Sequence, residues 1–245
     1  MDQELFKEAC EKIIGKSQGQ NGIGTLGEKT VHAVLKYYYA PDEKYHESKI
    51  GSYVADICKE GEITEIQTRN FNTLRPKLDY FLKEYEVTIV YPIAREKYLR
   101  WVNPETGEIS PKRKCPKKGT IYNIIRELYR IKPYLINEHL HFILTFLDLE
   151  EYRMLDGWSK DKKKGSTKTD KIPIALIDEW HIDTTKDYLK FLPESLPETY
   201  TSKDVAEQCK ISRQTASTML MILYDLKLIN RVGKTGNSYL YQLKM

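Results

Sequence analysis

SYVADICKEGEITEIQT, residues 52–68, is the stretch on which the fold turns. Tyr53 to Ile57 and Ile63 to Gln67 are short runs rich in β-branched and apolar residues, and Lys59-Glu60-Gly61 between them supplies the glycine that a tight turn needs. The stretch therefore predicts a β-hairpin. A two-residue turn at Glu60-Gly61 sets Asp56 directly across from Glu65, with Cβ atoms about 4.5–5.5 Å apart, whereas a bulged three-residue turn shifts the pairing by one. Glu65 and Gln67 are two apart on one strand and project from one face, so Ile66 between them points into the core.

Two carboxylates that face each other repel, and a shared proton, a cation or screening water relieves them. A hard divalent ion is the functional answer. Magnesium takes one or two carboxylates and keeps several waters, which leaves positions for a phosphate oxygen and an attacking water. The plain alternative is an exposed hairpin with ordinary surface charges.

Outward from the hairpin, the pattern alternates helices and strands. Residues 2–14 carry Leu5, Phe6, Ala9, Ile13 and Ile14 at helical spacing, and the glycines from Gly15 to Gly24 predict a loop. Thr25 caps a second helix running to Tyr39, with Leu26, Val31, Val34, Leu35 and Tyr38 on its apolar face. After the hairpin, Leu74 to Tyr85 reads as helix and Val87 to Tyr91 as a strand buried on both faces. Lys97 to Val102 and Glu108-Ile109 flank a second turn, Ile121 to Tyr134 is helical, and His141 to Leu149 is another strand. The expectation is an α/β core.

Ala55-Asp56-Ile57 followed by Glu65-Ile66-Gln67-Thr68 resembles the PD-(D/E)XK motif of restriction-endonuclease-like nucleases, in its E-x-Q variant. The resemblance covers roughly residues 20–155 and implies an αβββαβ core. It implies that Asp56 and Glu65 hold Mg²⁺ or Mn²⁺, that Glu28 on the preceding helix completes or contacts the metal shell, and that Gln67 is the third catalytic position. Most members carry Lys there. Lysine orients the nucleophilic water or stabilises developing charge, whereas Gln67 offers a neutral donor and acceptor. Arg69, directly after the motif, is within reach of a phosphate. His46 reads as structural or as a general base. Tyr37-Tyr38-Tyr39 spread round their helix, so no base-stacking role is assigned.

Pro193 and Pro197 bound a linker and divide the chain into domains at 1–192 and 198–245. In the second, Thr201-Ser202 caps a short helix to Cys209, and a longer helix runs from Ser212 to Lys227. Two strands then frame Gly233 to Asn237. This segment resembles a small winged helix-turn-helix domain, which implies that Arg213 and Gln214 near the second helix's start, and Lys234 on the wing, meet DNA.

Lys+Arg number 39 against 35 Asp+Glu, a net charge of +4, so the clustering says more than the total. Lys112-Arg113-Lys114, Lys117-Lys118 and Lys160 to Lys171 are basic stretches that can neutralise phosphates. No run approaches the ~20 apolar residues that cross a bilayer, and Met1-Asp2-Gln3-Glu4 is no secretory signal, so a cytoplasmic protein with no membrane partner is expected. Cys10, Cys58, Cys115 and Cys209 form no C-x-x-C pair and read as reduced packing residues.

Three functions compete. The first is a metal-dependent DNA endonuclease, in which cutting both strands invites a homodimer. The second is a DNA-binding regulator whose nuclease-like core no longer cleaves, which Gln67 keeps open. The third is a protein-interaction scaffold, for which the basic clusters and the wing would be incidental.

Overall fold

The computed structural model describes residues 1–20, 29–157 and 165–244. The chain forms two compact units, one of residues 1–68, 92–120 and 144–180, the other of residues 69–91, 121–143 and 181–245. Helices α1 (Gln3–Gln20) and α2 (Lys29–Tyr39) open the first unit and pack on each other, with Phe6, Ala9, Val31, Val34 and Leu35 buried. The glycine at 15 does not end α1, contrary to the loop expected there; a single helical glycine costs only roughly 1 kcal/mol against alanine. The Thr25 cap and Leu26 lie outside the described residues.

Strands β1 (His46–Ile50), β2 (Tyr53–Lys59) and β3 (Glu62–Ile66) follow as an antiparallel meander. Helix α3 (Arg75–Phe81), begun by a 3₁₀ turn at Phe71–Leu74, leads to β4 (Glu86–Val102). The two separate strands expected at 87–91 and 97–102 are therefore one strand, which runs through Pro92. A short β5 (Arg113–Lys114) pairs with β4 at Tyr98 and Leu99. After α4 (Ile125–Arg130) come β6 (Leu140–Met154) and β7 (Thr167–Ile182), and the sheet order is β1-β2-β3-β4-β6-β7. The fold is mixed α/β with one large sheet.

Strand β6 outruns its expected length, and charge is the reason. Asp148 to Arg153 look polar enough to end a strand, but cations on β4 meet them. Arg95 grips Asp148 through two bonds of 2.9 and 2.7 Å, Arg100 reaches Glu150 at 2.8 Å, and Lys97 reaches Glu151 at 2.8 Å. Arg153 adds a 2.6 Å bond to Glu151, which is fully buried. Gly119 is required where the chain passes β4: a Cβ there would stand 2.4 Å from the Ala94 carbonyl oxygen.

The core of the second unit is aromatic. Phe71 stacks on Phe142 at 6.4 Å between centroids and meets Tyr91 edge-on at 5.6 Å, while Tyr188 meets Phe142 edge-on. The Phe71 amide donates to buried Glu127 at 2.8 Å, and Arg130 neutralises that carboxylate.

Helices α5 (Ser202–Cys209) and α6 (Arg213–Asp225) and the hairpin of β8 (Ile229–Thr235) and β9 (Ser238–Leu243) complete this unit. Thr201 and Asp204 cap α5 reciprocally, which holds the Asp204 carboxyl below its ordinary range, and Ser212 caps α6 through the Thr215 amide at 3.1 Å. Lys210, at φ 53°, turns the chain between the helices. The expected apolar face is buried at Val205, Ala216, Met219, Leu220 and Leu223. Helix α6 also packs on α4, and Lys132 pairs with Asp225.

The Tyr188 hydroxyl is buried with no hydrogen-bond partner among the described residues, and burial raises its pKa strongly. A desolvated hydroxyl without a partner costs about 1–3 kcal/mol. Tyr188→Phe should therefore leave stability unchanged or raise it by up to about 1 kcal/mol in urea unfolding, where a clear loss would reveal a hydrogen bond to this oxygen.

Candidate functional site

Glu60 and Gly61 both adopt left-handed φ, 53° and 87°, which is the two-residue type I′ hairpin turn. Lys59 accordingly pairs with Glu62, Cys58 with Ile63 and Ile57 with Thr64. One further step of that register sets Asp56 against Glu65. Ala55 and Ile57 are buried on one face of β2, so Asp56 between them projects from the other. Glu65 is only 3% exposed, Ile66 is buried as expected, and Gln67 follows β3 half-buried.

The Asp56 carboxylate is held in place. Its Oδ2 accepts the Ile66 amide at 2.8 Å and lies 3.1 Å from Nε2 of His32 on α2. No local feature of the sequence marks His32, because it is a helix residue that meets a strand 24 positions later. Its neighbours fix where it stands: Val31, Val34 and Leu35 anchor α2 in the core, and Lys36, one turn on, pairs with Glu47 of β1. Thr30 donates to Asp170 at 2.8 Å, and burial pushes the pKa of that aspartate up. Among the described residues, no three His, Cys, Asp or Glu side chains form a ready metal cage.

Glu28 lies outside the described residues, as do the lysines from 160 to 164. Arg69 is exposed and belongs to the second unit. The basic stretch before residue 119 is partly compensated: Lys112 stands 3.9 Å from Glu150, and Lys114 and Lys118 reach Glu96 at 2.7 and 3.5 Å. The Lys114 contact first, with those of Tyr98 and Lys118, lowers the pKa of the Glu96 carboxyl to about 2. Arg113 is exposed with no ion pair among the described residues. In the C-terminal elements, Arg213 donates to Ser238 Oγ at 2.8 Å, Gln214 is exposed, and Lys234 lies 4.8 Å over the Tyr239 ring. Arg231 stacks on Tyr239 and Tyr224 at 4.2 and 4.3 Å.

Several residues are structural. His46 Nε2 meets the Ala40 carbonyl at 2.7 Å. Tyr37 bonds Glu8, Tyr38 packs edge-on against Phe6, and Tyr39 donates to Glu179 at 2.6 Å. The four cysteines are unbridged, and burial raises the Cys10 thiol to about 12.

A second titratable cluster carries no signature in the sequence. Glu86 at the start of β4 faces His141 at 2.9 Å and His139 at 2.7 Å, which lowers the Glu86 pKa and raises that of His139. A raised histidine adds stability that is complete below its unfolded value, about 6.5, and is lost as pH rises through the folded one. The lowered carboxylate adds stability that is lost as pH falls below about 4.5. Glu86→Gln should thus lower the melting temperature most near pH 5.5–6.5, and the deficit should shrink above pH 8. A deficit that stayed constant from pH 5 to 9 in melts would show that the ion pair contributes nothing.

Residues 29–183 match the model of a family described as a domain of unknown function, DUF8091. The chain belongs to that family. The matched span holds His32, Asp56, Glu65 and Gln67 and ends just past β7. An uncharacterized protein of Treponema pallidum (strain Nichols) is similar to the chain, 27% identical over 227 residues that cover 90% of this chain and 87% of that protein. No solved structure matches. No helix among the described residues is long and apolar enough to cross a membrane.

Proposed function

We propose that this DUF8091 protein is a metal-dependent DNA nuclease of the restriction-endonuclease type, with a C-terminal winged helix that grips the substrate. The observation that carries the reading is the hairpin register, with Ile57 against Thr64, whose next step would set Asp56 against Glu65 with Gln67 two residues on. The succession α2, β1, β2, β3, α3, β4 agrees with an αβββαβ core.

The donor set fits a hard divalent ion: two carboxylates on adjacent strands, one buried and one largely shielded. Asp56 and Glu65 would hold Mg²⁺ or Mn²⁺. The ion would supply Lewis-acid charge at the phosphoryl oxygens and acidify a water. The protein's share is orientation. The Ile66 amide fixes the Asp56 carboxylate, burial excludes bulk water around Glu65, and the Gln67 amide would orient the attacking water or a phosphate oxygen through a neutral hydrogen bond. Arg69, Lys112 and Arg113 would meet the DNA backbone, and Glu28 would join the metal shell.

The DNA grip rests on the α5, α6, β8 and β9 succession and on charge. From Lys210 to Lys244 the chain carries Arg213, Lys227, Arg231 and Lys234, and its one acidic residue, Asp225, is paired with Lys132. Cleavage of both strands would use two copies of the chain. A regulator that binds without cutting is the second reading, favoured by Gln67 where a lysine is usual.

Asp56→Ala and Glu65→Ala should each abolish Mg²⁺- or Mn²⁺-dependent cleavage of plasmid or branched DNA while leaving the protein folded. Cleavage retained by either variant removes that residue from the site, and a wild type inert on every DNA and RNA offered transfers the reading to the regulator.

Replacing Arg213 and Lys234 together by glutamine should weaken DNA binding and flatten the slope of log K against log salt by roughly one to two, at about 0.9 for each phosphate that is no longer neutralised. An unchanged slope in a fluorescence-anisotropy titration would exclude both residues from the DNA interface.

A further inference from the structure

The Asp56 carboxylate is held at one oxygen by two groups of different origin. The Ile66 amide belongs to the same hairpin, at 2.8 Å, and His32 Nε2 comes from α2, at 3.1 Å. The Asp56 side chain is 16% exposed and that of His32 31%, so the contact is largely shielded from water. A hydrogen bond to a carboxylate counts for more there than on an open surface.

An aspartate side chain has two rotatable torsions, and each donor that reaches its carboxylate from a separate element narrows them. A second donor from another direction fixes the plane of the carboxylate. Helix α2 is suited to supply it: Val31 is 4% exposed and Val34 and Leu35 are fully buried, so the backbone that carries His32 is locked in the core. The ring then arrives with only its own two torsions to settle.

We infer that His32 is a positioning residue, whose Nε2–H donates to Asp56 Oδ2 and fixes the orientation of that carboxylate opposite Glu65. The inference rests on the nuclease reading for the purpose of the carboxylate, but the positioning itself is a property of the apoprotein. In metal sites such orienting partners typically account for a tenfold to hundredfold difference in metal affinity.

The test compares His32→Phe, which keeps a ring and loses the donor, with His32→Gln, whose amide N–H can reach the same oxygen. His32→Ala is a second donor-free variant should the phenyl ring disturb the fold. Two measurements are made on each full-length chain: hydrogen-exchange protection of the Ile66 amide without metal, with Ile63 as internal control, and Mn²⁺ affinity by calorimetry. The donor-free variants should lose Ile66 protection but keep that of Ile63, and should bind Mn²⁺ about tenfold to a hundredfold more weakly. Glutamine should restore both to within a few fold.

Ile66 protection that is the same in all variants overturns the inference. If the wild type binds no Mn²⁺ while Ile66 protection still depends on His32, the positioning stands and the metal reading falls. If the wild type binds Mn²⁺ and neither measurement responds to His32, the metal reading stands and this inference falls.

Discussion

Two consecutive residues with left-handed backbone, Glu60 and Gly61, are the constraint on which the site depends. A type I′ turn matches the right-handed twist of the strands it joins, but it requires positive φ at both positions, which glycine accepts readily and glutamate reluctantly. The turn fixes the register, and the register fixes the faces. A slip of one residue would send Asp56 to the side of Ala55 and Ile57 and leave Glu65 without its counterpart. Ile63 is buried on one face of the hairpin and Ala55, Ile57 and Ile66 on the other, so burial penalises any such slip. Local turn chemistry and the core thus enforce the same pairing.

Legibility followed the range of the interactions. The hairpin could be read because its turn, its alternation and its pairing lie within a few residues of each other. The C-terminal helices and strands could be read for the same reason: Thr201 with Asp204, Ser212 with Thr215, and the apolar spacing from Val205 to Leu223 are local signals. The lengths of β4 and β6 could not. Asp148, Glu150 and Glu151 look like the end of a strand until Arg95, Arg100 and Lys97 stand beside them, some fifty residues away in the chain. His32 failed to show for the same reason, since its meaning comes from a strand it does not neighbour. Of the proposed metal shell, Asp56 and Glu65 are described by the structure, while Glu28 rests on the sequence alone.

The ionic ladder between β4 and β6 is another part of the first unit where polarity is taken inside. Glu151 is fully buried, and Lys97 and Arg153 both donate to it. Such a group gains little over an apolar pair of the same shape, but losing one partner exposes the full cost of a buried charge, typically about 3–5 kcal/mol. The ladder therefore acts less as a source of stability than as a key for strand pairing: a shifted alignment of β4 on β6 would part Asp148, Glu150 and Glu151 from the cations of β4 that meet them.

The compensation of Lys112, Lys114 and Lys118 by Glu150 and Glu96 alters how that surface would meet a polyanion. A lysine already engaged with a carboxylate must leave one anion to greet another, and the abandoned glutamate then repels the incoming phosphate. The long-range field of the patch is set by its net charge rather than by its number of lysines, and it attracts from a distance less than the bare sequence promises. The same exchange makes the patch selective. A ligand whose phosphates align with several lysines at once displaces both carboxylates together, whereas an isolated anion gains only what it takes from Glu96.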